Sequence, residues 1–309
     1  DDQVVGAAPR RDRLDAVESI WRSFETRAVS TPFQAWSWIA DWARRPGAAG
    51  GARVVVALGY EGDTLKLILP LALEHRYGIS SLTWLGQDAS DYNGPLIAPD
   101  LLERLDVRGV EEILRAVVEL AGGADSLRLE KQPELLGGAT NPFAAFSATD
   151  FTCRAHATGL TGDWETFHSQ KRSRKSVRRL KEKAASLAKH GKITFAEIHD
   201  ASERRAIVEQ LLEWKSAQLE ARGSRNPFRD GDLGAFLTEF AASPGGVGLI
   251  RIHTLKVGGE LAAGSVGIAR NGHYIYYVAA YDALRFSRYS PGSILLARLI
   301  EDLHKEGLT

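Results

Sequence analysis

Two stretches of this chain, "VVVALGYEGDTLKLILPLAL" at residues 54–73 and "IRIHTLKVGGELAAGSVGIA" at residues 250–269, decide how it is read. Each is an alternating apolar run, a turn containing glycine, and a second run that becomes mostly apolar, which is the pattern of two strands joined by a tight turn. A third β-like run follows in each case, at 81–85 after "RYG" and at 273–280 after "RNG". An amphipathic helix comes next, at 108–122 in the first half and from "SPGSILLARLIEDLHK" in the second. The same order of elements recurs over roughly 80 residues, which points to an internal duplication.

Working outward, helices precede the strands in both halves. In the first, residues 12–27 place Leu14, Val17, Ile20, Trp21 and Phe24 on one face. A second helix, "AWSWIADWARR", follows "STPFQ", with Thr31 as a candidate cap. In the second half, helices are expected at 163–190, 201–221 and 232–242, ahead of β-runs at 248–255, 260–269 and 273–280. Glycine-rich "PGAAGGA" at 46–52 reads as a flexible connection. The expectation is an α+β protein, a mixed sheet with flanking helices, in two domains at 1–150 and 151–309.

The duplication also predicts an absence. In the first half a strand, "DSLRLEK" at 125–131, follows the helix, whereas the second half stops at "KEGLT" where that strand should begin. A missing inner strand would leave backbone groups unpaired. Methionine is absent altogether, even at position 1. The final strand or strands of the second domain are therefore expected to lie outside this sequence.

Composition narrows the function. With 44% apolar and 25% charged residues and a formal net charge of zero, the chain has an ordinary globular balance and no global field to recruit a polyanion. No DNA partner is expected. No apolar run approaches the roughly 18 residues that span a bilayer, so membrane insertion is not expected either. The single cysteine, Cys153, excludes an intrachain disulfide, fits a reducing compartment such as the cytoplasm, and reads as a buried filler. The histidines are scattered and no paired-cysteine pattern exists, so no metal is expected.

Three local clusters carry chemistry. At "RYSPGSILL", Ser290 can cap the first-turn amides, Pro291 suits the first helical position, and Gly292 lets a group approach the backbone closely. Capping alone explains Ser-Pro; alternatively, those amides and the helix dipole favour a pyrophosphate. The segment from Lys171 to Lys192 holds ten Lys or Arg residues against one acid, Glu182. Val177, Leu180, Ala184, Leu187 and Ala188 form an apolar stripe within it, giving an amphipathic helix with a strongly positive outer face. That face is either simply solvated or holds an anionic ligand; its charges are not interleaved with aromatics, which disfavours nucleic acid. Polar clusters "SDYNGP" and "LEKQP" stand at strand ends of the first half, although Asn-Gly is fully explained as a turn.

The strand–strand–strand–helix–strand order, doubled, resembles the GNAT acyltransferase fold in tandem. "TPFQAWSW", "LILPLALEHR", "WLGQDASDYNGPLI", "LRLEKQPELLGGATNPFA", "QKRSRKSVRRLKEKAASLAKHGKITF" and "YYVAAYDALRFSRYSPGSILLARLIEDLHKEG" together resemble the CelD/BcsL-like acetyltransferase family, a branch of the GNAT superfamily related to the Fem peptidyltransferases. The likeness runs from about Trp21 to Gly307. Two features depart from it: of Ser290, Gly292, Ser293 and Ile294 at the helix start only Gly292 matches the usual acyl-CoA signature, and the strand expected after this helix is absent.

The resemblance implies an acyltransferase that takes acetyl-CoA or another acyl-CoA as co-substrate and a sugar-containing, envelope- or exopolysaccharide-related acceptor, anionic in character. It implies that the CoA pyrophosphate lies at the start of the last helix and that the pantetheine arm pairs with strand backbone around Val278, Ala279 and Ala280. Transfer needs a base for the incoming nucleophile and a proton for the departing thiolate. Asp282 is the nearest carboxylate, and Tyr281 or Tyr289 could supply the proton. Asp91, Tyr92, Asn93 and Lys131 would read the acceptor from a groove between the halves. Lys171, Arg174 and Arg285 could bind anionic groups. Two other readings remain: a Fem-like transferase using aminoacyl-tRNA, and a non-catalytic binding protein of a polysaccharide-synthesis assembly.

Overall fold

The computed structural model describes residues 4–5, 14–45, 52–145, 156–171 and 173–308. Cys153 and most of the 46–52 connection fall outside these residues. The chain divides into two compact units, Asp1–Arg154 and Ala155–Thr309.

In the first unit, β1 (Val4–Val5) leads to helices α1 (Glu18–Phe24) and α2 (Trp36–Ala43), then to β2 (Arg53–Glu61), β3 (Thr64–Arg76) and β4 (Ile79–Trp84). Next come β5 (Leu96–Ile97), α3 (Pro99–Arg104), α4 (Val107–Leu120) and β6 (Ser126–Arg128). The unit closes with a small hairpin of β7 (Leu135–Leu136) and β8 (Ala139–Thr140) and a short helix α5 (Pro142–Ala145). The strand order is β1-β2-β3-β4-β6, with β5 paired to β3. All neighbours are antiparallel except β4 and β6, which run parallel with Leu82 opposite Leu127. The apolar positions of α4, Val110, Leu114 and Val117, seat it on a core that includes Val55, Leu69, Leu71 and Trp84. Each such fully buried side chain contributes about 1.5–3 kcal/mol. The tryptophans of α1 and α2 meet edge to face, Trp21 against Trp36 at 5.4 Å between ring centroids. Thr31 does not cap α2: it precedes a single 3-10 turn over Pro32–Gln34, and α2 begins at Trp36.

The second unit opens with α6 (Trp164–Lys171) and α7 (Arg174–Leu187), two helices where the sequence reads as one. They are followed by β9 (Ile193–Glu197), α8 (Ala201–Ala221), α9 (Leu233–Ala242), the short α10 (Pro244–Val247), and a meander of β10 (Ile250–Val257), β11 (Glu260–Arg270) and β12 (His273–Tyr281). The short α11 (Ala283–Phe286) and the long α12 (Pro291–Lys305) complete it. The sheet is antiparallel throughout, in the order β12-β11-β10-β9. On one face α8 packs so closely that a Cβ on Gly264 would sit 2.9 Å from Leu211. Elsewhere in the unit Leu295 of α12 packs with Leu255, Ala263 and Tyr289, and Leu299 and Leu303 pack with Leu160 and Phe167.

The duplicated hairpins agree in detail. In each, the register shifts just before the turn, between Gly59 and Tyr60 in the first unit and between Leu255 and Lys256 in the second. These pairs are equivalent when the two sequences are laid side by side. The units differ after the meander. In the first, the helix that follows is succeeded by β6, which adds parallel to β4. In the second, β12 is the terminal strand of its sheet among the described residues.

Candidate functional site

The second unit gathers its candidate residues around the end of β12 and the start of α12. β12 carries an irregularity: Val266 faces Val278 but Gly267 faces Tyr276, leaving Tyr277 as an extra residue. Bulges of this kind bend a strand and recur beside active sites. Beyond the bulge the ladder resumes with Gly264 opposite Ala280 and Ala263 opposite Tyr281, and the Asp282 N–H donates to the Ala262 carbonyl at 3.0 Å. The alternation of an antiparallel pair then turns the N–H and C=O of Ala279 and Tyr281 away from β11, toward the open edge. Val278 and Ala280 are buried and face inward. Of the three residues singled out for pairing with a ligand backbone, Ala279 is the one whose main chain points out.

Asp282 leaves the strand and caps α11, its Oδ1 accepting from the Arg285 N–H at 3.0 Å. The second carboxylate oxygen stands 3.9 Å from the Arg285 guanidinium. Arg285 itself, exposed, also pairs with Glu260 at the start of β11. Tyr281 is half-buried, and its Cδ1 lies 3.6 Å from where a Cβ on Gly292 would stand. Tyr289 is buried, with its hydroxyl 2.6 Å from His190 Nε2 and its ring under the Arg288 guanidinium at 4.7 Å.

The start of α12 differs from the cap expected of Ser-Pro. Ser290 adopts a left-handed conformation, φ 53° and ψ 53°, and its side chain caps nothing. Such a conformation costs a β-carbon residue on the order of 1 kcal/mol. What holds it is a set of hydrogen bonds. The Ser290 N–H donates to Ser287, its carbonyl accepts from Ser293 at 3.0 Å and Ile294 at 3.2 Å, and its hydroxyl accepts from the ammonium of Lys183 on α7. Pro291 has no N–H, and Ser293 and Ile294 direct theirs back to Ser290. Gly292 therefore presents the one first-turn amide with no protein acceptor among the described residues. A Cβ there would meet only the Tyr281 ring, at an ordinary contact distance, so the position has room for a side chain.

Two segments that the sequence offered separately, the basic helix and the Ser-Pro-Gly helix start, thus meet. Lys183 and His190, from the end of α7 and just after it, touch Ser290 and Tyr289. Lys183 is half-buried, whereas Lys171, Arg174 and the cations between Arg174 and Lys183 on the outer face of α7 are exposed. The apolar stripe is seated as expected, with Leu187 fully buried, except that Ala188 is exposed.

Deeper in the same unit lies a charged cluster that sequence reasoning did not single out. Arg251 donates to Glu197 at 2.8 Å and also pairs with Glu306, and His253 Nε2 stands 3.8 Å from Glu197. Burial pushes the Glu197 carboxyl up, but the Arg251 hydrogen bonds outweigh it and hold the group below its ordinary range. Burial lowers the proton affinity of His253, against the pull of Glu197. The neighbouring Arg204, also buried, donates to the carbonyls of Ala241, Ile198, Gly246 and Ile250, tying α8 to α9, α10 and the sheet.

In the first unit, Asp91, Tyr92, Asn93 and Lys131 do share one loop cluster. Asn93 is fully buried, its N–H donating to the Lys131 carbonyl at 3.0 Å and its side chain to Glu130 at 3.3 Å. Lys131, itself left-handed at φ 59°, commits two of its donors to the carbonyls of Gln87 and Ser90, at 2.9 and 2.8 Å. Asp91 is exposed and Tyr92 half-exposed, so these two are the members that open to solvent. Among the described residues, no three His, Cys, Asp or Glu side chains converge in a way that could hold a metal ion. No described helix is long and apolar enough to cross a membrane.

Residues 171–309 match the model of a family described as an acetyltransferase (GNAT) domain. Among solved structures, the chain is similar to FemX, with a TM-score of 0.61 at 10% sequence identity, over 100% of this chain and 87% of that one. It is also similar to the C-terminal domain of a putative lysylphosphatidylglycerol synthetase from Agrobacterium fabrum, at a TM-score of 0.48 and 13% identity, covering 97% of this chain and 76% of that one. At these identities the likeness to FemX is one of fold. No curated protein matches the chain.

Proposed function

We propose, from the acetyltransferase (GNAT) match over residues 171–309, that the second unit binds acetyl-CoA or a related acyl-CoA and transfers the acyl group to an amine or hydroxyl of a sugar-containing acceptor. The observation that carries this reading is the continuity of open backbone from the bulged edge of β12 to the start of α12. Ala279 and Tyr281 offer an amide-pairing edge, and the Gly292 N–H, with the Lys183 ammonium bound to the neighbouring Ser290 hydroxyl, offers a seat for a phosphate. This order of groups, strand amides and then a helix N-terminus, suits a ligand that is a chain of amides ending in a diphosphate.

The acyl-CoA supplies an activated thioester. The acceptor nitrogen or oxygen attacks the thioester carbonyl carbon, the carbon–sulfur bond breaks, and the sulfur leaves as thiolate. In this reading Oδ2 of Asp282, the oxygen not engaged in capping α11, takes the acceptor's proton. Tyr281, half-buried beside Gly292, donates a proton to the departing sulfur. The outward amides of β12 fix the thioester's position, so that part of the rate enhancement comes from orientation. The acceptor class, an envelope or exopolysaccharide sugar, follows from the resemblance of the sequence to the CelD/BcsL-like family.

The reading is tested by mixing the protein with acetyl-CoA and a panel of amino- and hydroxyl-sugars and following release of free thiol. Acceptor-dependent thiol release is expected. Failure to bind any acyl-CoA, in the presence or absence of acceptor, would remove it.

A further inference from the structure

Helix α7 breaks two local rules of helix electrostatics along its exposed face. Its first turn holds no acidic residue and instead carries Arg174 and Lys175, opposite to what the positive end of the helix dipole favours. Like charges also stand four apart, Arg174 with Arg178, Lys175 with Arg179, and Arg179 with Lys183, each pair destabilising by a few tenths of a kcal/mol. Elsewhere many arginines are neutralised, among them Arg22, Arg44, Arg115, Arg229, Arg251 and Arg298, which each pair with a carboxylate. On α7 only Arg178 has one, Glu182 at 3.5 Å. Arg174, Lys175, Arg179 and Lys181 have no carboxylate within ion-pair distance among the described residues. In a chain of zero net charge this face concentrates four unpaired cations on one helix. Sites where local rules fail without an internal compensation are where function is expected.

The charges are spread over a helix about 21 Å long, too far for one small anion. The helix's apolar side, Val177, Leu180, Ala184 and Leu187, faces its own unit, so nothing is left to insert into hydrocarbon. The exposed side offers long, flexible cationic chains with no aromatic platform for bases to stack on. We infer that the outer face of α7 docks the protein on an anionic phospholipid surface, by charge and without insertion. Because Lys183 on this helix touches Ser290, the helix that docks is also the one that contacts the start of α12. If the acyl-transfer reading holds, the acceptor is then one carried at that surface; the docking itself rests on α7 alone.

The test is co-sedimentation of the full chain with vesicles of phosphatidylcholine alone or of phosphatidylcholine with phosphatidylglycerol. Binding is expected only to the mixed vesicles and should weaken as salt is added. The Lys175→Gln, Arg178→Gln, Arg179→Gln, Lys181→Gln variant should lose at least about tenfold in partitioning, since each basic residue near such a surface contributes about a fivefold factor. Its thermal midpoint should stay unchanged or rise slightly, and its acetyl-CoA affinity, read by calorimetry, should stay unchanged, which separates failure of docking from failure of the acyl-CoA reading. Should the fourfold variant fold poorly, the single Lys175→Glu and Lys181→Glu variants serve in its place, each expected to lose binding several-fold. The charge-keeping Lys175→Arg, Lys181→Arg variant should bind as the wild type does. Equal binding to neutral vesicles, or undiminished binding by the charge-removed variants, overturns the inference. So does salt-sensitive binding of a mixed-sequence RNA without vesicle binding, which would assign the face to nucleic acid.

Discussion

The ammonium of Lys183 donates a hydrogen bond to the hydroxyl of Ser290, 107 residues away, and so joins the basic helix α7 to the left-handed residue that starts α12. Ser290 cannot cap its own helix in that conformation, and the bond gives its side chain another partner. It also sets a positive charge two residues from Gly292, at the residue that starts α12. Replacing Lys183 by Met should weaken acetyl-CoA binding by about tenfold or more, the scale of a hydrogen bond to a charged group. Ser290→Gly relieves the left-handed strain but also removes the Lys183 partner, terms of similar size and opposite sign, so the thermal midpoint should change little. A Lys183→Met protein with wild-type affinity would mean that the lysine is only a structural tie.

Asp282 can be separated into its two roles. As a helix cap it is replaceable by Asn, which caps nearly as well. As a base it is not. Asp282→Asn should therefore keep the wild-type thermal midpoint and acetyl-CoA affinity while kcat falls by about a hundredfold or more. Unchanged turnover would leave capping as its whole function.

The path of β12 depends on a position with no room for a side chain. A Cβ on Gly267 would lie 2.0 Å from both Cζ and the hydroxyl oxygen of Tyr274, whose ring covers the glycine beside the Tyr277 bulge. Gly267→Ala should destabilise the protein by about 1–3 kcal/mol. Adding Tyr274→Ala should recover part of that loss, so that a denaturant titration of the double variant shows a positive coupling. Purely additive effects would contradict this packing.

Stability should fall in two steps as the solution is acidified. His253 is buried and neutral, with its proton affinity below the ordinary value of 6.5, while the unfolded chain protonates near that value. Stability is thus full above about pH 6.5 and declines below it. Glu197, held below its ordinary value of 4.5 by Arg251, adds a second decline as the pH drops below that figure. Thermal midpoints measured across this range should show both, and His253→Gln should abolish the upper one alone. A midpoint that stays flat between pH 7 and 5 would contradict the buried neutral state.

Much of this architecture can be read from the sequence, for identifiable reasons. The two meanders follow from alternation and glycine turns, and α8 is found at the residues its spacing predicts, Ala201–Ala221. β9 escapes because it is short, alternates between half-buried and exposed residues with none fully buried, and follows closely on a lysine-rich helix whose charge dominates the pattern. The bulge at Tyr277 escapes because one extra residue within "HYIYYVAAY" leaves the composition unchanged. The left-handed turn at Ser290 escapes because Ser-Pro has an ordinary capping explanation, and the side chain that overrides it comes from a distant helix. Lys131 and Asn93 are found in one place, but their bonds to loop carbonyls depend on tertiary folding that no spacing reveals.

The central claim is that the open amide of Gly292 seats a phosphate of acyl-CoA, and calorimetry with acetyl-CoA on the wild type and on Gly292→Glu tests it most directly. A Cβ at this position meets only the Tyr281 ring, at 3.6 Å, so the variant should fold with an unchanged thermal midpoint while its carboxylate competes for and repels the phosphate. The wild type should bind and the variant should lose binding by about a hundredfold or more, the scale of an unrelieved like-charge contact. Equal affinity in two equally stable proteins would contradict the claim and leave the start of α12 as a helix terminus and nothing more.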